Sequence, residues 1–407
     1  MENVFDTLKE RGFIRQCTHE NEVKQLLSEP AVFYIGFDPT ADSLTIGHYL
    51  TIIAMTHMQR AGHKPIALMG GGTGMVGDPT GKTEMRRVMG REEIQYNVDC
   101  FKEQMARFID FNEGKAILID NSEWLLNLQY IPFIREYGVY FSVNRMLAAE
   151  AYRSRLEQGL TFFEFNYMLM QSYDFLELYR RYGCRLQIGG DDQWSNIIAG
   201  AELVRKAENT PAFGMTFTLL ETSQGDKMGK TQQGALWMDG SKTPPYELFQ
   251  YFRNVDDADV PAMLRLLTFL PMDEIKTLSA LEGSGINQAK EKLAFEVTRD
   301  IHCEKAAQEA LKAARSLFGG EGGEGSVPQT DLTRAALNKS LSLTALLEMT
   351  GLAPSRSEAR RIIQQGGARI NDKKIDSVDY IITEKDFTDG ALMLKKGKKA
   401  FHRVRLV

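Results

Sequence analysis

The chain has 407 residues, 43% hydrophobic and 25% charged, and a net charge of −5. This is enough apolar material for a large core in two or three domains, and the longest apolar runs, such as residues 31–37 and 66–69, are far too short to span a bilayer. The N-terminus, Met-Glu-Asn-Val-Phe-Asp, lacks the order of a secretion signal. Cys17, Cys100, Cys184 and Cys303 contain no CxxC pair, so neither a zinc site nor a redox motif is indicated and a reducing cytoplasm is the expected compartment.

In chain order, residues 31–37 read as a buried strand, followed by a loop and a helix over about 47–60. Residues 65–70 read as a second strand running into Gly70-Gly71-Gly72-Thr73-Gly74. A long amphipathic helix is expected from about 92 to 108, a third strand over 115–120, helical pattern over 144–182, a fourth strand over 184–188 and a helix from about 193. Strands alternating with helices predict a parallel, Rossmann-like sheet with right-handed crossovers, and ligands then sit at the carboxyl ends of the strands. The reading continues with a Rossmann-like domain over 1–240, an all-helical domain over 241–318, a glycine-rich flexible linker over 319–340, and a small α+β domain over 341–407. That last stretch carries 13 Lys or Arg against 8 Asp or Glu, a balance of +5, which leaves −10 for residues 1–340. A basic tail on an acidic body fits either contact with a polyanion or a solvated basic surface.

Two segments carry chemistry. Residues 34–48, Tyr-Ile-Gly-Phe-Asp-Pro-Thr-Ala-Asp-Ser-Leu-Thr-Ile-Gly-His, join a strand to a helix N-terminus, whose free N–H groups suit a phosphate. Thr40, Thr45 and His48 add side-chain donors. Alone, this pattern is also that of an ordinary strand–helix turn. Lys227-Met228-Gly229-Lys230-Thr231 lies in a polar loop, where two lysines flanking a glycine suit neutralisation of a polyphosphate; alone, it is also a solvated charge run. A third pattern, Tyr167, Gln171 and Asp174 at i, i+4 and i+7, puts three side chains on one helix face. Such stripes are usually core, but Gln and Asp are rarely buried without a partner, which favours a pocket.

In this order, about 180 residues apart, the first two segments resemble the HIGH and KMSKS signatures of class I aminoacyl-tRNA synthetases. Tyr34-x-Gly-Phe-Asp-Pro-Thr-Ala-Asp-Ser-Leu, Tyr167-x-x-x-Gln171-x-x-Asp174 and residues 187–193 (Gln-Ile-Gly-Gly-Asp-Asp-Gln) are similar to the bacterial tyrosyl-tRNA synthetase family, and the likeness covers essentially the whole chain. The resemblance implies that Tyr34 and Asp174 bind the substrate phenol and that Tyr167, Gln171 and Asp78 hold its ammonium group. Asp38, Gly47, Gly190 and Asp192 match adenosine positions, and Gln193 a position near the α-phosphate. Thr40, Thr45, His48, Lys82, Arg86, Lys227, Lys230 and Thr231 match phosphate positions. Thr45 departs from the signature, which usually has His there; a threonine donates a hydrogen bond but carries no charge and reaches less far.

The same resemblance implies ATP as substrate with accompanying Mg²⁺ but no protein-held metal, tRNA(Tyr) and L-tyrosine as partners, and a homodimer. It also makes residues 341–407 an S-four-type RNA-binding domain. There Ser355 caps a helix that Gly366-Gly367 ends, and Arg356, Arg360 and Arg361 offer guanidinium groups to phosphates. Lys395, Lys396, Lys398 and Lys399, with Phe401 and His402, are expected to extend that surface. A small-molecule nucleotidyltransferase shares the phosphate site but needs no tyrosine pocket. A non-catalytic RNA-binding paralogue needs neither Asp174 nor the lysines, and a tryptophanyl-tRNA synthetase is disfavoured by the Tyr34/Asp174 pair.

Overall fold

The computed structural model describes residues 3–80, 89–223, 225, 228, 230–231, 234–319, 329–337, 341–371, 373–388, 390–397 and 400–406. It divides into two compact units, residues 1–307 and 308–407.

The first unit is built on a six-stranded sheet: β1 (Ile14–Cys17), β2 (Val32–Phe37), β3 (Lys64–Met69), β4 (Ile117–Asp120), β5 (Leu186–Gly190) and β6 (Phe213–Phe217). The spatial order is β1-β6-β5-β2-β3-β4, with every pair parallel except the edge pair β1–β6. β2 to β5 are the four expected strands. β1 and β6 were not expected: Ile-Arg-Gln-Cys has no apolar run, and its strand character comes from pairing with β6 some 200 residues away, Ile14 lying opposite Phe217. The chain builds outward from β2 through β3 and β4, then returns to the other side of β2 with β5 and β6. The order therefore reverses between β2 and β5, and the crevice at their carboxyl ends is where such a sheet takes a ligand.

Ile46–Arg60 is a helix that buries Ile46, Tyr49, Leu50, Ile52 and Ile53. The helical pattern expected over 144–182 resolves into four helices, Val143–Ala148, Glu150–Leu156, Phe162–Phe165 and Tyr167–Tyr182. Gly183, at φ +65°, ends the last of them in the left-handed conformation. The helices between Pro245 and Ile301 lie in the same compact unit as the sheet; Arg11 donates to the carbonyls of Arg265 and Thr268, and Tyr49 Oη to that of Leu267.

The second unit holds a five-stranded sheet of order β11-β10-β12-β13-β9. The strands are β9 (Gln329–Leu332), β10 (Ala368–Ile370), β11 (Lys373–Lys374), β12 (Ala391–Lys396) and β13 (Ala400–Leu406). Helices Leu343–Met349 and Arg356–Gln364 complete it, over a core that includes Leu346, Ile363, Leu392, Leu394 and Val404. β9 and the helix Arg334–Leu337 fall inside the stretch expected to be linker. Gln329-Thr-Asp-Leu has one apolar residue and no alternation to declare a strand, and what makes it one is parallel pairing with β13, Val404 opposite Thr330.

Candidate active site

Tyr34 stands in the middle of β2, opposite Ile66 on β3 and Gln187 on β5. Its ring meets Phe175 edge-on with centroids 5.2 Å apart. Its hydroxyl is buried with no hydrogen-bond partner among the described residues. Burial and the neighbouring Asp174 carboxylate raise its pKa well above the ordinary phenol value.

Asp174 is 1% exposed. Its Oδ1 accepts the Trp124 indole N–H at 2.7 Å, and its Oδ2 accepts Asn121 Nδ2 at 2.9 Å. Burial pushes the carboxyl up to about 7; those two donors oppose the shift, and the charges of Asp38 and Asp120 add to it. Asn121 is the hub of the pocket. Its Nδ2 also donates to Thr73 Oγ1 at 3.0 Å, and its Oδ1 accepts the Gly72 N–H at 2.8 Å. Thr73 Oγ1 donates in turn to Asp38 Oδ1 at 3.1 Å, and Tyr167 Oη to Asp38 Oδ2 at 3.0 Å. A continuous chain thus runs Tyr167–Asp38–Thr73–Asn121–Asp174–Trp124. Gln171, one turn before Asp174, has a buried Oε1 with no partner among the described residues.

The glycines before Thr73 are spatial requirements. A Cβ on Gly70 would overlap the Asp38 carboxylate, and one on Gly71 the Asp120 carboxylate. Asp78 accepts the Thr80 N–H at 2.9 Å and Gln193 Nε2 at 2.6 Å, while Gln193 Oε1 accepts Asn196 Nδ2 at 3.1 Å. This ties the loop after β3 to the turn after β5. A Cβ on Gly190 would stand 2.6 Å from Asp192 Oδ1.

Thr45 is the N-cap of the Ile46–Arg60 helix. Its N–H donates to His48 Nδ1 at 3.0 Å, and its hydroxyl lies 3.1 Å from the same nitrogen. The His48 ring packs beside Phe37 and Phe101, and desolvation lowers its pKa to about 4. His48 is therefore neutral, and with Nδ1 accepting, its proton sits on Nε2. Thr40 and Gly47 are exposed on the same strand–helix connection. Lys230 and Thr231 form β7, which pairs with β8 (Gly234–Ala235). Lys82, Arg86 and Lys227 lie outside the described residues.

The sequence model described as "tRNA synthetases class I (W and Y)" matches residues 26–319, and that of the "Tyrosine--tRNA ligase SYY-like C-terminal domain" matches residues 321–404. The chain is 58% identical over 406 residues to a tyrosine–tRNA ligase of Clostridium botulinum, covering 99% of both chains. It is 57% identical over 408 residues to that of Acetivibrio thermocellus, covering both fully.

The chain belongs to the class I tyrosyl-tRNA synthetases.

A solved structure from this family, a C-terminally truncated mitochondrial tyrosyl-tRNA synthetase of Aspergillus nidulans, superposes with a TM-score of 0.70 at 26% identity, over 78% of this chain and 95% of that one. The Archaeoglobus fulgidus enzyme complexed with L-tyrosine shares the fold at a TM-score of 0.59 and 17% identity, over 76% of this chain and 99% of that one.

Asn121, Trp124 and Thr73 of the synthetase lie outside its two signatures and the Tyr167/Gln171/Asp174 face. Two signals were available: three glycines in a row, which mark backbone pressed against other atoms, and an Asn immediately after the carboxyl end of a parallel strand. In the second unit Arg356, Arg360 and Arg361 are exposed on the Arg356–Gln364 helix; Arg356 pairs with Glu348 at 3.0 Å and Arg361 with Glu358 at 3.3 Å. His402 does not extend this surface as expected. It is buried, its Nε2 2.8 Å from Thr330 Oγ1, because β13 turns it toward β9. Lys395 lies over the Phe401 ring at 5.0 Å, and Lys398 and Lys399 are outside the described residues.

Proposed function

We propose that this tyrosine–tRNA ligase reads the phenol of its substrate with Tyr34 and Asp174 and holds the ammonium group with Asp78, Tyr167 and Gln171. The observation that carries the reading is that the Tyr34 hydroxyl, beside the Asp174 carboxyl that burial raises, and Gln171 Oε1 are buried with no partner among the described residues. Polar atoms left unpaired inside a fold cost free energy that a ligand recovers, and a phenylalanine, lacking the hydroxyl, would leave them unpaired.

The reaction has two steps. The tyrosine carboxylate attacks the α-phosphate of ATP and pyrophosphate leaves; a terminal ribose hydroxyl of tRNA(Tyr) then attacks the activated carbonyl and AMP leaves. Neither step calls for a protein acid or base if positioning and charge stabilisation suffice. In our reading Asp38, Gly47, Gly190 and Asp192 cradle the adenosine, and Gln193 lies near the α-phosphate. Thr40, the Nε2–H of His48, Lys82, Arg86, Lys227, Lys230 and Thr231 serve the phosphates, while Thr45 holds His48 in place. Because His48 is neutral, the positive charge there comes from the lysines and arginine. Mg²⁺ enters as part of the nucleotide substrate. Among the described residues no group of three His, Cys, Asp or Glu is placed to hold a metal, and no helix is long and apolar enough to cross a membrane. A cytoplasmic setting, where tRNA and ATP meet, goes with this reading.

The enzyme is proposed to act as a homodimer through the patch formed by Val143, Leu156 and Phe162, which line one groove and are 56%, 44% and 68% exposed. Phe162→Asp is expected to halve the mass in sedimentation; an unchanged mass refutes the patch. Residues 341–407 are proposed to bind tRNA through Arg356, Arg360 and Arg361. Reversing all three charges should raise the KM for tRNA and spare adenylate formation.

The pocket is tested by ATP–pyrophosphate exchange with Asp174→Asn. Loss of a hydrogen bond to a charged group, up to about 3 kcal/mol, predicts a fall in kcat/KM for tyrosine of up to roughly 100-fold with ATP binding intact. Wild-type activation with phenylalanine still excluded would refute the assignment.

A further inference from the structure

The two signature segments are joined by contacts that neither motif contains. β8 leads directly into Leu236, and Leu236–Met238 lies antiparallel to the backbone ahead of the Ile46–Arg60 helix. Ile46 N–H donates to Leu236 O at 3.1 Å, Met238 N–H to Leu44 O at 2.8 Å, and Thr45 bridges Trp237. Asp239 N–H donates to Ser43 Oγ at 3.2 Å. Outside this backbone seam, Lys242 forms an ion pair with Asp42 while its ammonium lies 4.9 Å from the centre of the Trp237 ring. Trp237 is held by its own N–H, which donates to the buried Thr243 Oγ1 at 2.9 Å.

We propose that Asp42, Lys242 and Trp237 form a clamp that positions the Lys230 strand relative to the loop bearing Asp38 and Thr40. They are positioning residues: Asp42 lies four residues after Asp38, and Trp237 two residues after Ala235, the β-partner of Lys230. A loop hinged only at its backbone seam can rotate about it. A side-chain pair anchored on both segments, stacked on an aromatic face, removes that freedom before substrate arrives. An ion pair this exposed does little for global stability, so its effect falls on geometry.

The proposal rests on the assignment of Lys230 to the polyphosphate, and the test separates the two. Single-turnover adenylate formation is measured in the full-length enzyme for Asp42→Asn, Asp42→Glu and Lys242→Met, each alone and with Lys230→Ala, alongside thermal melts. Asp42→Asn and Lys242→Met should slow the step about two- to fivefold with the tyrosine KM unchanged, and Asp42→Glu should restore it. In the Lys230→Ala background neither should have a further effect, because the amine on the strand that the clamp positions is gone. Equal slowing in both backgrounds, or no slowing in either, overturns the clamp. If Lys230→Ala by itself leaves the rate unchanged, the polyphosphate assignment fails and takes the clamp with it.

Discussion

Asp174 and Glu164 are both buried carboxylates of the first unit, on helices that follow one another in the chain, and they behave oppositely. Asp174 faces neutral donors, Asn121 and Trp124, and burial holds its pKa up at about 7. Glu164 is also pushed up by burial, but the Arg155 guanidinium, at 3.0 and 3.2 Å, and the Thr161 hydroxyl and N–H outweigh this and leave it below the usual range. A carboxyl met by a cation and closed into a capping box is satisfied by the fold alone. One met by two neutral donors, beside a Tyr34 hydroxyl with no partner among the described residues, is what the proposed phenol site requires. The linkage signs differ accordingly. Glu164 adds stability above its unfolded pKa that is lost as pH falls through its lower folded value. Ionising Asp174 subtracts stability as pH rises from the unfolded value toward about 7.

The comparison can be broken most sharply at Arg155. Arg155→Met strands Glu164 as an unpaired buried charge and is expected to cost about 3–5 kcal/mol in denaturant unfolding. Tyrosine activation per folded molecule should change little. If stability is unchanged, Glu164 is not held as the geometry says.

A smaller effect is expected from pH. In the proposed phenol site an ionised Asp174 is the stronger acceptor, and a protonated one keeps only a weaker carbonyl acceptor, so kcat/KM for tyrosine should fall below about pH 7, by at most about tenfold per unit. A profile flat down to about pH 5.5 would show that this carboxyl stays ionised throughout that range.

The smallest effect should come from Thr45, whose hydroxyl and N–H both already meet His48 Nδ1. Like Glu164, it is satisfied within the fold. Thr45→Ala is expected to cost about 0.5–2 kcal/mol of stability as a lost cap, with adenylate formation per folded enzyme within about twofold of wild type. A slowing well beyond that, without a change in the melt, would move Thr45 to the phosphate side.

The strands β2 to β5, the helix after β2, and the Tyr167/Gln171/Asp174 face were legible because each is a local pattern, a run or a period within about 16 residues. The signatures were legible for the same reason: each is a short contiguous segment, the glycine and helix start in one and the lysines in the other, although about 180 residues separate the two. What the sequence could not show was which distant partners complete these patterns. β1 and β9 are strands only because β6 and β13 lie beside them. The hub at Asn121 exists because β3, β4 and the Tyr167–Tyr182 helix converge, bringing Thr73, Asn121 and Asp174 within 3.0 Å of one another along a chain of hydrogen bonds. The pairing of Trp237 with Thr45 joins segments almost 200 residues apart. Local sequence sets periodicity and propensity; burial and hydrogen-bond satisfaction between remote segments are settled only when the chain closes on itself, which is why the pocket's polar balance belongs to the tertiary structure.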